Sequence, residues 1–218
     1  MKVLSLAIAA ALGLAPSAQA AIYTLDFSGD ICTVGPCTNG ATISQEYGDT
    51  ALVDVSHDYT LPVPHEPGLA YWGNGYSDLA NVGWGGDFNP DNLGWIKFAP
   101  TSGYKVNLLS FDIGTWGSDA TASITIHDGV GGLLADLGAQ SILFSGASTF
   151  DTGWTSDDGI EIRWANAYQF GIGNITFEVT EGGVTPPPPA VPLPASALLL
   201  LTGLGGLGLA ARRRRGAA

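Results

Sequence analysis

Positive charge is scarce in this chain. Of its eight Lys and Arg, Lys2 lies near the start and Arg212, Arg213, Arg214 and Arg215 near the end. That leaves Lys97, Lys105 and Arg163 among the 20 acidic residues that run from Asp26 to Glu181. A phosphate backbone needs a basic face, so nucleic acid is excluded as a partner. Such a surface favours solubility, repels anionic lipid and attracts divalent cations. Recognisable catalytic groups are missing too. His57, His65 and His127 stand at no metal-ligand spacing, and His65-Glu66 lacks the second histidine of a zinc helix. There is no G-x-S-x-G. The expectation is a protein that is not an enzyme, although a glycosidase-type carboxylate pair is defined in space and leaves no sequence mark. Helical periodicity is also absent: no window of ten or more residues between the two ends carries a helical stripe.

What the chain has instead is period two. Ile22 to Phe27, Ala51 to Val55 and Trp95 to Phe98 read as strands. So does Val106 to Ile113, whose alternation slips near Leu108-Leu109 and predicts a bulge. Ile124 and Ile126 oppose Thr125 and His127; Ile160, Ile162 and Trp164 oppose Glu161 and Arg163; Ile175, Phe177 and Val179 oppose Thr176, Glu178 and Thr180. Gly, Asn or Asp closes each run, and 31 glycines fit many tight turns. Short strands with regular turn signals predict an all-β fold, a β-sandwich over residues 21–180, long enough for one domain with its own core.

The two ends differ from this middle. Lys2, the apolar run Val3 to Ala15 and Ala18-Gln19-Ala20 have the layout of a secretory signal peptide over residues 1–20, to be handled by the Sec translocon and signal peptidase. Residues 181–190 are a linker: Glu181-Gly182-Gly183 is flexible and Pro186 to Pro189 a polyproline II spacer. Then come Val191-Pro192-Leu193-Pro194-Ala195, a run from Ala195 to Ala211 without a charge, and Arg212 to Arg215. As a single transmembrane helix those 17 residues would span roughly 25 Å, close to the bilayer's hydrocarbon thickness. The arginines would hold their end in the cytoplasm.

The order and spacing of these three parts, over residues 191–215, resemble the PEP-CTERM sorting signal of Gram-negative bacteria in its VPLPA variant. The resemblance implies an exosortase as partner, transient anchoring in the inner membrane, and delivery to the cell surface or extracellular matrix, where exopolysaccharide is a further possible partner. The domain resembles, more loosely, the jelly-roll domains common in such proteins and similar to carbohydrate-binding modules. Ile43 to Asp49, Gly103 to Asp112 and Gly173-Asn174-Ile175-Thr176-Phe177 carry that resemblance. Related domains often close with Asp-Asn-Ile; here Gly173 takes the place of that Asp.

Three local features bear on function. Cys32 and Cys37 flank a Gly35-Pro36 turn and, in an exported protein, are expected to form a disulfide. Asp87, Asn89 and Asp91 put oxygen atoms at alternate positions, as a Ca²⁺ loop does, but Asn92 and Phe98 stand where an EF-hand needs Gly and Glu. The alternative is a polar loop whose side chains cap turns. Tyr71, Trp72, Tyr76, Trp84 and Trp95 crowd one stretch among Gly, Asn and Asp. Flat rings beside polar groups hold sugars, and Tyr71, Trp72, Tyr76 and Trp84 are the candidate glycan contacts. The same rings also suit a sandwich core. Three classes therefore compete: a non-catalytic surface or matrix protein, a glycan-binding module and a secreted glycoside hydrolase. An exposed flat row of rings would favour the second, and two carboxylates sharing a cleft the third.

Overall fold

The computed structural model describes residues 20–60 and 65–182. Residues 1–19 of the expected signal peptide, most of the linker expected over 181–190 and the segment 191–215 that resembles a sorting signal lie outside the described residues. Within them every regular element is a strand: β1 (Ala21–Leu25), β2 (Val53–Tyr59), β3 (Ala70–Trp72), β4 (Val82–Trp84), β5 (Leu93–Pro100), β6 (Tyr104–Thr115), β7 (Ala120–Asp128), β8 (Leu133–Ile142), β9 (Ser148–Ser156), β10 (Ile160–Ala165) and β11 (Phe170–Glu181).

They form two antiparallel sheets. One has the order β3-β4-β11-β6-β9, with β1 also on β11; the other has the order β2-β5-β10-β7-β8. Strands β1 and β4 share one edge of β11, β4 meeting it at Ile172 and β1 from Ile175 to Val179. Only β3–β4 and β7–β8 are neighbours in both sequence and sheet; every other connection leaves its sheet for the other one.

The alternation seen in the sequence is the reason the sheets pack. Ile124 and Ile126 from β7, Ile160, Ile162 and Trp164 from β10, and Ile175, Phe177 and Val179 from β11 all point inward and are buried. The sheets meet across Phe98 of β5 and Phe177 of β11, whose ring centroids are 4.7 Å apart. Each such side chain contributes about 1.5–3 kcal/mol on burial. Trp164, fully buried, donates its indole N–H to the Phe170 carbonyl at 3.1 Å, so its polar end is paired. Gly94 lies opposite Trp164 in the pairing of β5 with β10. A Cβ there would come within 2.5 Å of the indole, so the close approach requires glycine.

The bulge expected near Leu108-Leu109 is present. The pairing of β6 with β9 shifts between Leu108 and Ser110, and the inward set passes from Val106 and Leu108 to Phe111 and Ile113. Strand β11 shifts as well, between Gly173 and Thr176. There Asn174 takes a left-handed backbone (φ 47°), which Asn tolerates better than most residues, and donates from Nδ2 to Asp112 Oδ2 at 2.7 Å. Cys32 and Cys37 are bonded, with Cα atoms 5.3 Å apart.

Candidate functional site

The aromatic stretch does not form a flat row. Strands β3 and β4 are short, and the connection between them, residues 73–81, carries Tyr76 back against Trp116 just beyond the end of β6. Trp72 of β3 packs edge-on against Trp84 of β4 (centroids 5.4 Å, planes at 85°) and against Trp116 (5.1 Å, 82°). Tyr168, from the turn after β10, stands 6.1 Å from Trp84, and Phe88 lies 5.0 Å from Tyr168. Gly75, at φ 102°, makes room for Trp116, because a side chain there would enter the indole.

The six rings enclose a cavity of about 40 Å³, room for no more than a few waters. Its floor is core: Tyr76 is 2% and Trp84 3% exposed. Burial pushes the Tyr76 phenol up, so it stays protonated and donates to the Tyr168 carbonyl at 2.6 Å. Trp84 Nε1 donates to the Tyr71 carbonyl at 3.3 Å. The Trp72 indole N–H is shut from solvent and has no acceptor among the described residues. The mouth differs. Phe88 is 77% exposed, and Trp72, Trp116 and Tyr168 are half-buried. The interior is too small for a sugar ring.

Trp72, Tyr76 and Trp84 are thus brought together. Tyr71 is not: it packs against the main core and donates its hydroxyl to Asn81 Oδ1 at 2.7 Å. Trp95 lies on the outward face of the other sheet, across from Asp58 and Arg163. Phe88, Trp116 and Tyr168 escaped the sequence reading. The latter two come from distant connections, and only the fold joins them.

A second cavity, of about 310 Å³, lies beside the first and is polar. It is lined by Asp26, Asp78, Leu79, Ala80, Asn81 and Asn174. Its size is at the lower end for ligand pockets. The 73–81 connection serves both cavities, Tyr76 entering one and Asp78 to Asn81 the other. Asp26 accepts from the Ser28 backbone N–H (3.0 Å) and hydroxyl (2.8 Å), and these bonds hold its carboxyl below the usual range. It is an anion and an acceptor, not a proton donor. Asp78 Oδ1 accepts from the Ala147 N–H at 2.7 Å.

The acidic loop folds on itself. Asp87 Oδ1 accepts from the Asn89 N–H at 3.0 Å and from the Asn92 side chain, and Asn89 Oδ1 accepts from the Asp91 N–H at 3.0 Å. Both oxygens cap turns. Among the described residues no three His, Cys, Asp or Glu side chains gather at a cation's distance. His57 spends both ring nitrogens on backbone: Nε2 lies 3.1 Å from the Ser44 carbonyl, and Nδ1 accepts from the Leu69 N–H at 3.1 Å. His65 lies 2.9 Å from Asp58, and His127 lies 3.0 Å from the Thr125 hydroxyl.

No family model and no curated protein matches the chain. Among solved structures it is similar to a GH26-CBM35 β-(1,4)-mannanase of Podospora anserina, at 14% identity and a TM-score of 0.29, over 77% of this chain and 29% of that one. The chain spans under a third of that structure's length, and a likeness of this degree carries no weight for fold or chemistry.

Proposed function

We propose that this chain is an exported, non-catalytic protein of the bacterial surface or matrix, a jelly-roll sandwich sorted by an exosortase. The carrying observation is the tail: Val191 to Ala195, an uncharged run and Arg212 to Arg215 in that order and spacing. Passage between sheets at most connections is consistent with the jelly-roll wiring. Support for a non-catalytic role comes from groups already committed elsewhere. His57 holds backbone and the cysteines are bonded, so none of the three offers a free base or nucleophile. The test is processing. Replacing Pro192 and Pro194 by Ala leaves an unprocessed, membrane-retained form, whereas the wild type loses its arginines. Mass spectra of mature surface material still containing Arg212 to Arg215 would overturn the sorting reading.

A second reading, compatible with the first, is that the domain holds a glycan. The convergence of Trp72, Tyr76 and Trp84 with Phe88, Trp116 and Tyr168 beside a polar cavity favours it. The full-length protein in detergent is then retarded in an affinity gel containing a host polysaccharide. Phe88→Ala removes an exposed ring, so retardation falls without a drop in melting temperature. A joint fall would make Phe88 a packing residue. Ligand shortened during incubation would point to the hydrolase instead.

A further inference from the structure

Charge decides which glycans this end can hold. Asp26 and Asp78 line the polar cavity. Asp87 adjoins Phe88 in sequence, and Asp119, three residues beyond Trp116, accepts from the Phe144 N–H at 2.8 Å. None of the three cations of residues 21–182 lines either cavity. Lys105 is on the second residue of β6, whose far end leads into Trp116; ten residues of strand put it about 30 Å away. Lys97 and Arg163 project from the outer face of the other sheet, where Lys97 donates to the Gly129 carbonyl at 2.8 Å and Arg163 to Glu161 at 2.5 Å. A polyanionic glycan therefore meets carboxylates here and no counter-charge. A cationic one meets carboxylates in a cavity and the negative faces of aromatic rings, both of which attract an ammonium group.

Resting on the glycan reading above, we infer that the ligand is a glycan with free ammonium groups, a de-N-acetylated amino-sugar chain, its ring at the Phe88–Trp116 mouth and its ammonium at Asp26 and Asp78. Both carboxylates keep Oδ2 out of any hydrogen bond among the described residues, so each has an acceptor to offer. The Asn81 and Asn174 carboxamides beside them suit the sugar hydroxyls.

The test compares three probes by calorimetry on the full-length protein in detergent: a glucosamine oligomer, its N-acetylated counterpart and a uronate oligomer of equal length. The glucosamine oligomer is expected to bind at least about tenfold more tightly than the acetylated one, and the uronate not at all; each factor of ten is about 1.4 kcal/mol. Asp26→Asn with Asp78→Asn keeps the capping oxygens and is expected to erase the preference. Asp136→Asn with Asp157→Asn removes the same charge from the second sheet's edge strand and from the β9–β10 turn, and is expected to leave it intact. If both double variants lose the preference equally, the effect is diffuse charge and the assigned site is wrong. Equal binding of the glucosamine and acetylated probes overturns the inference while the glycan reading stands. If no probe binds, both fall.

Discussion

Lowering the pH should destabilise this domain through one buried imidazole. His57 is fully buried. Its Nδ1 accepts from the Leu69 N–H, and the Gln45 side-chain amide also points at it from 3.4 Å. Nε2 therefore carries the proton and donates to the Ser44 carbonyl. A second proton, on Nδ1, would face two donors inside a closed core. Burial pushes the pKa of His57 down, only partly opposed by its bond to Ser44 and by the charges of Asp58 and Asp49. The unfolded chain takes up this proton near pH 6.5 and the folded chain only at lower pH. The folded state thus binds fewer protons in that window, and stability falls as pH falls. The slope approaches about 1.4 kcal/mol per pH unit for one proton where the unfolded chain has taken it up and the folded chain has not. Urea unfolding at pH 7.5, 6 and 5 measures it, and His57→Gln separates it from the many carboxylates. The variant starts lower by about 1–2 kcal/mol from imperfect hydrogen bonds and then loses less stability than the wild type on acidification. Parallel pH profiles for the two proteins would refute the reasoning.

Two further outcomes are expected. Alkylation of unreduced protein labels neither Cys32 nor Cys37, and Cys→Ser at both costs on the order of 2 kcal/mol because the closed loop is short; full labelling of the native protein would remove the bond. Gly94→Ala drives a methyl group into the Trp164 indole and destabilises by about 1–3 kcal/mol in a thermal melt; an unchanged melting temperature would show that the indole can yield.

The inner strands were legible because both of their neighbours demand alternation. Strands β5, β7, β10 and β11 have partners on two sides and one face in the core, so Ile, Phe and Trp recur at every second position. Strands β8 and β9 are sheet edges. Leu133 and Leu134 are exposed in β8, and β9 alternates between half-buried and exposed with few large apolar groups. Strands β3 and β4 have three residues each, too few for a period to register. The same limit applied to the site. Trp72, Tyr76 and Trp84 were neighbours on paper, whereas Trp116 and Tyr168 joined them only through the pairing of β6 with β11, which sets Thr115 against Phe170. The polar cavity had no sequence signature at all. Its carboxylates stand 52 residues apart at Asp26 and Asp78, and neither belongs to a motif.

The antiparallel match of Ala21 with Val179 gives the domain two poles. The backbone enters and leaves at one of them, beside the far end of β11. The rings occupy the other, where β11 begins at Phe170. Twelve residues of strand hold the two apart by roughly 35–40 Å. Any leash on this domain, at either terminus, therefore pulls on the pole opposite the rings. Joining Ala21 to the end of β11 and reopening the chain at an exposed turn such as Gly131 would move the leash without disturbing the core. Opened at Trp116 instead, the same permuted chain would be tethered by its own mouth.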